Sequence, residues 1–358
     1  MHTRTSMTPY PDLHLYINGE FRKAASDLPV LNPATEEEIG RLPHAEKSDL
    51  DDALDAAEHG FKTWRQVAPV DRANVLYRAA ALMRERQEEI ATAITAEHGK
   101  PLSQARLEVI RGCEFFEWDA GEATRTYGRI IPSAPGARYS VHHQPIGTVA
   151  AFSPWNFPMS QPCRKVAGAI ASGCSIILKA AEETPAGALH IARALHDAGL
   201  PPGVLNLVFG TPAEISDHLI RQDSVRLVAF TGSTAVGKLI MRALAGSNKK
   251  YTLELGGNAA NIIFADAPID QAVEGIVNGI FFNQGHVCCA GSRLFVQESV
   301  ADEVIDKLKE RMETLIVGDP MDKNTDIGAI NSRMQLEKIE SYLKIGKQEG
   351  GEMYQSSC

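Results

Sequence analysis

The chain has 358 residues, of which 44% are hydrophobic and 23% charged, a globular balance on a length that suits two domains of ordinary size. Its formal net charge of −9 argues against nucleic acid as a partner, and no apolar run is long enough to span a bilayer. The six cysteines, at 113, 163, 174, 288, 289 and 358, show no disulfide spacing, and the polar segment Met1–Asp12 lacks the apolar core of a secretion signal, so a reducing, cytoplasmic setting is expected.

In chain order, Leu13 to Phe21 reads as a hairpin turning at Asn18-Gly19. Ser48 is the expected N-cap of a first helix, with Asp49, Asp51 and Asp52 in its first turn. Asp71 to His98 reads as one long amphipathic helix, stopped by Gly99 and Pro101. A third helix follows to about Thr124. Residues Ile130 to Pro145 read as a two-stranded arm, because Pro132, Pro135 and Gly136 separate short alternating runs. From Gly147 the rhythm becomes strand, helix, strand. Strands are expected at Gly147–Phe152, Ser175–Lys179, Val204–Phe209 and Arg226–Thr231, with helices at about Met159–Ala171, Pro185–Ala198, Pro212–Arg221 and Ser233–Ala245. The strands are near-continuous apolar runs, as in a parallel sheet buried on both faces. Right-handed crossovers then give an open doubly wound α/β sheet. After Gly257 a second unit is expected, with strands at Asn261–Phe264 and Leu294–Gln297 and helices at Ile269–Phe281 and Val300–Leu315.

Ligands of such sheets sit at the carboxyl ends of the strands, and the polar motifs fall there. Ser153-Pro154-Trp155-Asn156-Phe157-Pro158 follows the first strand of the sheet. Its prolines stiffen the backbone, and the Asn156 amide is a neutral donor suited to an oxyanion; alone, it is an ordinary Asn in a Pro turn. Lys179 and Glu182 follow the second strand and could hold ribose hydroxyls, or simply form an ion pair. Phe230-Thr231-Gly232-Ser233 opens a helix whose free N–H groups favour a phosphate, though it is not the Gly-x-Gly-x-x-Gly pattern. Glu254 precedes Gly256-Gly257 at a strand end and is a candidate general base. Cys288 and Cys289 stand in the loop Asn283–Arg293, flanked by glycines. A thiol with a base is the minimum equipment for covalent catalysis at a carbonyl, but an adjacent pair could equally be structural. Metal ligation is disfavoured, since only His286 lies near and no Cys-x-x-Cys occurs.

Taken together, Ser153–Pro158, Lys179–Glu182, Phe230–Gly237, Glu254–Gly257 and Cys288–Arg293 resemble the aldehyde dehydrogenase superfamily, in family order, across about Leu13 to Gly351. The resemblance implies a Rossmann-like cofactor domain at residues 1–129 and 146–257. It further implies an oligomerisation arm at 130–145 and part of an α/β catalytic domain at 258–358. Cys288 then matches the nucleophile, Asn156 the oxyanion donor and Glu254 the general base. Trp155, Lys179, Glu182, Gly210, Phe230, Gly232, Ser233 and Leu255 match the dinucleotide site. The implied reaction oxidises an aldehyde to an acid with NAD, through a cysteine thiohemiacetal and thioester, in a homo-oligomer. NADP is the alternative cofactor, disfavoured because Glu182 would face a 2′-phosphate with like charge. Succinate-semialdehyde dehydrogenases carry an Arg-Lys like Arg164-Lys165, which makes Arg164 a candidate for a substrate carboxylate. Such a site is expected to favour the Cys288 thiolate, since a free thiol titrates near about 8.5. Two departures stand out. His286 occupies a position where the family usually has Gln. Family members also continue beyond Cys358, so a C-terminally truncated catalytic domain is expected, and the competing reading is a poorly active fragment or pseudoenzyme that binds dinucleotide or joins intact subunits. A thiol acyltransferase or hydrolase without nicotinamide is the weaker third reading.

Overall fold

The computed structural model describes residues 10–25 and 28–357; most of the polar N-terminal segment, and Cys358, lie outside them. Strands β1 (Leu15–Ile17) and β2 (Glu20–Arg22) pair antiparallel across Asn18 and Gly19, whose φ values are 52° and 82°. Two successive left-handed residues are what a two-residue hairpin turn requires. A second hairpin, β3 (Leu28–Leu31) with β4 (Glu38–Leu42), follows. Helix α1 (Lys47–Trp64) is capped by Glu46 rather than by Ser48. The Asp49 carboxylate accepts the Glu46 N–H at 2.9 Å, so the first turn begins earlier than the serine suggests.

The expected helix over Asp71–His98 is two helices, α2 (Pro69–Glu85) and α3 (Gln87–His98). They break at Arg86, which has φ −92° and ψ 14° and an ion pair to Asp197 at 2.7 Å. The apolar stripe resumes at Ile90, so residue spacing runs straight through the break. Gly99, at φ 85°, ends α3 in the left-handed conformation that a side chain would strain. Helix α4 (Leu102–Ala123) leads to the exposed ribbon of β5 (Arg129–Ile131) and β6 (Tyr139–Val141).

The sheet that organises the site is built from β7 (Thr148–Phe152), α5 (Ser160–Ala171), β8 (Ser175–Lys179), α6 (Ala186–Asp197), β9 (Leu205–Val208), α7 (Pro212–Arg221), β10 (Val225–Gly232), α8 (Thr234–Leu244) and β11 (Lys250–Leu255). Its order is β11-β10-β7-β8-β9-β1-β2, parallel from β11 to β9, with β1 antiparallel at the far side. β7, β8 and β9 progress in one direction and β10 and β11 in the other, so the chain reverses beside β7. That reversal opens a crevice at the strand ends. Helices α5 and α6 lie between the sheet and the layer of α2, α3 and α4, while α1, α7 and α8 pack directly on strands. The fold is an α/β doubly wound sheet, as the apolar runs indicated.

After β11 the chain forms β12 (Ala260–Ile263), α9 (Ile269–Phe281), β13 (Arg293–Val296), α10 (Ala301–Met312) and α11 (Arg333–Gln348). β12 and β13 pair parallel in a separate two-stranded sheet. No helix among the described residues is long and apolar enough to cross a membrane.

Candidate active site

The loop that carries the cysteines leaves α9 through a tight turn at Phe282–Gly285. Asn283 and Gln284 both have φ near 54°, a conformation that non-glycine residues hold only when their surroundings enforce it. Here the enforcing contacts are visible. The Asn283 N–H donates to Gln104 Oε1 at 2.8 Å, the Asn283 amide donates to the Asn156 carbonyl at 2.9 Å, and the Gln284 amide donates to the Ala329 carbonyl at 2.7 Å. Cys288 and Cys289 emerge exposed from this anchored turn. The expectation of an environment favouring the Cys288 thiolate is not met by the protein groups: burial, then the Cys289 thiol, push its pKa up. No cation among the described residues offsets this shift.

Asn156 reaches this loop from the end of β7. Its Nδ2 donates to the His286 carbonyl at 2.8 Å, which puts the amide two residues from Cys288. The backbone of Asn156 is held from below. Its carbonyl accepts from Lys100 Nζ at 3.1 Å, and Lys100 pairs with Glu108 at 2.5 Å. Glu108 also accepts the N–H groups of Met159 and Ser160 at 2.8 and 3.0 Å. It thereby serves the open amides at the start of α5, where a negative charge is favoured. Burial lowers the Lys100 pKa, and Glu108 opposes the shift. Sequence patterns single out none of Lys100, Glu108, Gln104 and Asn283. The signal that exists is Glu108 itself: it shares the buried face of α4 with Ala105, Val109 and Gly112, where a carboxylate is expected only with a partner.

The remaining candidates line the carboxyl edge of the sheet. Register pairs Thr231 with Glu254 and Gly232 with Leu255, and Phe152 with both Phe230 and Lys179. From β11 to β9 the edge therefore presents Glu254 and Leu255, then Phe230, Gly232 and Ser233, then Trp155 and Asn156, then Lys179 and Glu182, then Gly210. Lys179 is buried and forms a close ion pair with Glu182. Ser233 caps α8, its hydroxyl accepting the Val236 N–H at 3.3 Å. A Cβ on Gly232 would stand 2.5 Å from the end of the Phe230 ring, and one on Gly210, whose φ is 134°, would stand 2.4 Å from the His44 ring, so Gly210 is held as glycine both by its backbone and by its neighbour. A paired Lys and Glu and a capped helix N-terminus on one strand edge are groups of the kind that suit a dinucleotide's ribose and phosphates.

Glu254 and Arg164 meet in a different place. With Gln161 and Lys165 of α5 they line a cavity of about 360 Å³ that Cys288 and Asn156 do not line. The Arg164 guanidinium lies over the Phe115 ring, 4.9 Å from its centre. Burial brings the Lys165 pKa down to about 8, and Glu254 opposes the shift. The link between the two clusters is Gly257, where a Cβ would stand 3.3 Å from the Cys288 carbonyl.

The model of the aldehyde dehydrogenase family matches residues 21–357. The chain belongs to that family. It is 40% identical over 343 residues to a putative aldehyde dehydrogenase, DhaS, of Bacillus subtilis, covering 94% of this chain and 69% of the relative. It is 38% identical over 337 residues to the succinate-semialdehyde dehydrogenase [NADP(+)] GabD of Escherichia coli, covering 93% and 70%. The solved structure of an NAD-dependent aldehyde dehydrogenase from Sinorhizobium meliloti superposes with a TM-score of 0.94 at 32% identity, covering 97% of this chain and 70% of the other. This aldehyde dehydrogenase thus has relatives named for NAD and for NADP, and its family assigns it to NAD(P)-dependent aldehyde oxidation.

Proposed function

We propose that this aldehyde dehydrogenase oxidises aldehydes with NAD through covalent catalysis at Cys288. One observation carries the reading: the Asn156 amide donates to the His286 carbonyl at 2.8 Å, which ties a neutral donor to the loop that carries Cys288. On this reading the Cys288 thiolate adds to the aldehyde carbon, and the Asn156 amide with the Cys288 N–H faces the oxyanion. Glu254 later takes a proton from the water that hydrolyses the thioester. A bound dinucleotide supplies the hydride acceptor. Lys179 and Glu182 would hold its ribose, with Gly210, Trp155, Phe230, Gly232, Ser233 and Leu255 around it. Glu182 favours NAD, because its carboxylate would meet a 2′-phosphate with like charge.

The substrate proposed is an aldehyde bearing a second, carboxylate group, such as succinate semialdehyde. Arg164 lies with Glu254 in a cavity that Cys288 does not line, so this reading rests on the planar cation that Arg164 offers a carboxylate and on the name of the Escherichia coli relative. Residues 1–129 and 146–257 would form the cofactor domain, and 258–358 the catalytic part. The arm at 130–145 would dock on a second copy, since both of its strands are exposed. The test is direct. Cys288→Ser abolishes aldehyde-dependent NADH formation while Cys289→Ala retains it, and Arg164→Leu raises KM for succinate semialdehyde more than for butanal. Turnover surviving in Cys288→Ser would refute the mechanism, and a higher kcat/KM with NADP would refute the cofactor preference.

A further inference from the structure

Trp155, the neighbour of Asn156, is wedged between two histidines. The Trp155 and His286 rings are 4.9 Å apart at 83°, Trp155 and His98 5.9 Å apart at 38°, and the two histidines 6.0 Å apart at 71°. The cluster joins three chain segments: the end of α3, the loop after β7 and the nucleophile loop. His98 is fully buried and His286 is 7% exposed. None of their four ring nitrogens makes a hydrogen bond of ordinary geometry in the protein, though the Asn156 backbone lies near enough to His98 to act on it as an acceptor. Buried imidazoles used only as polar anchors normally find one.

The backbone around these rings is fully engaged. The His286 carbonyl accepts the amides of Asn156 and Asn283 at 2.8 and 3.2 Å, and the Trp155 carbonyl accepts the Thr184 hydroxyl at 3.2 Å. The residue whose ring packs on Trp155 is therefore the residue whose carbonyl orients the Asn156 amide. We propose that His98 and His286 are positioning residues of the aldehyde oxidation: the two neutral rings fix Trp155 and the His286 carbonyl, and so keep the Asn156 amide on the nucleophile loop. The proposal rests on the assignment of Cys288 and Asn156 above.

Neutrality follows from the charges nearby. Lys100 follows α3 and raises the potential at both rings. Glu108 on α4 is taken up by Lys100 and by the α5 amides. Glu97 on α3 is buried, and that burial brings its pKa up to about 8, so it is uncharged below that pH. Besides Lys100, the only charge acting on either ring is the other histidine's, on His98, and Cys288 is exposed. Burial first, then Lys100, bring the His286 pKa down to about 4, and His98 is held well below its ordinary value. An imidazolium at His286 would have no acceptor in the protein, and at His98 only the Asn156 backbone would offer one; its arrival would disturb the wedge.

The test uses hydrolysis of p-nitrophenyl acetate by the full chain, a reaction that needs the thiol and an oxyanion donor but no dinucleotide. Aldehyde oxidation with NAD is assayed beside it. His286→Ala is expected to lower kcat for the ester about tenfold or more, a fraction of what losing an oxyanion donor outright costs; because Trp155 also lies in the proposed dinucleotide site, the effect is read on the ester, without NAD. His286→Gln, neutral and of similar length, is expected to restore most of the rate. Cys288, whose thiol pKa is raised, gives every variant an acid limb of its own, so the readout is the ratio of the Gln variant's rate to the parent's, which should rise as pH falls towards 4. His98→Gln should act in the same direction with a smaller effect. Full kcat in His286→Ala, or failure of Gln to restore it, would overturn the proposal. If the Ala variant does not fold, the Gln variant decides through that ratio, and a ratio that stays flat down to pH 4 overturns the proposal. If ester hydrolysis survives in Cys288→Ser, the assignment of the nucleophile has failed instead, and this proposal with it.

Discussion

Every residue of β7 and β8 is buried, whereas β12 and β13 alternate between exposed and half-buried positions. The two strand pairs are alike in being short, apolar and parallel, and they differ in what covers them. The first pair lies in the middle of a sheet with helices on both faces. The second forms a two-stranded sheet of its own, with Ile262 62% and Phe295 54% exposed. Yet Cys288, the proposed nucleophile, belongs to the second region. Its loop is held by polar ties that run across to the first: Asn283 to Gln104 and Asn156, and Asn156 to His286. The geometry of Cys288 is thus borrowed from α4 and the loop after β7 rather than supplied by its own strands.

The comparison is broken most severely at Glu108. Glu108→Ala leaves Lys100 buried without its partner and strips the acceptor from two amides of α5. Removing one member of a buried pair costs about 3–5 kcal/mol, to be read as a loss of unfolding free energy in urea. Lys100→Met with Glu108→Leu removes both charges and should cost distinctly less. If the single and double variants lose the same stability, the pair does not anchor the site. Next in size is Asn283→Ala. It removes the donors to the Asn156 and His286 carbonyls and places a Cβ-bearing residue with no local hydrogen bond at φ 54°. Backbone strain of about 1–2 kcal/mol adds to the lost bonds. Asn283→Gly relieves the strain alone, so it should be more stable than the Ala variant while remaining as poor a catalyst.

Much of the fold could be read because its signals are local. Asn18-Gly19 demands its turn, Gly99 its helix end, and the runs in β7, β8 and β9 have no polar side to show. The expected range for α7 agrees with the structure to the residue. The hairpin β3–β4 went unread because Pro29 and the charged Glu38 and Arg41 mask any alternation. Helix α11 was missed because it has no buried residue, so no apolar stripe marks it. At the site, residues that carry chemistry announced themselves by type and by place after a strand. Residues that hold them did not: Lys100, Glu108, Gln104 and His98 act across more than fifty positions of sequence in most of their contacts, and no local pattern reports a long-range partner. The separation of Glu254 and Arg164 from Cys288 and Asn156 was likewise invisible, since it depends on which face of the sheet end each side chain takes.

A smaller effect distinguishes the buried support from the surface by pH. Glu97 accepts the Tyr10 hydroxyl at 2.5 Å and the Ala186 N–H at 2.9 Å, and burial brings its pKa up to about 8 from 4.5. A raised carboxyl pKa means that the folded state holds a proton the unfolded state has released. The stabilisation is therefore complete below about pH 4.5 and is lost as pH rises through about 8. Glu97→Gln keeps an uncharged group of the same shape. Its unfolding free energy should vary less between these limits than the parent's, measured by denaturant titration at several pH values. An equal slope in both proteins would show that Glu97 is ionised in the fold.

The smallest expected change in stability concerns the open face of β12 and β13. Ile262, Phe264 and Phe295 are 62%, 62% and 54% exposed, and their strands lie side by side in register, Ile262 facing Phe295. Contiguous apolar surface beside unpaired strand edges promotes association between molecules. Ile262→Thr with Phe295→Thr keeps residues that suit a strand and removes apolar surface that the folded monomer never buries. Exposed positions away from caps and ion pairs usually change stability by no more than about 0.5 kcal/mol, so the thermal midpoint should hardly move. Association should change far more: light scattering across a concentration series should show a smaller mean mass for the double variant. The paired control is Leu178→Thr in β8, a fully interior position at 1% exposure, which should lose stability and gain aggregation. If the surface variant behaves like the interior one, β12 and β13 are covered in solution and the contrast between the two regions does not hold.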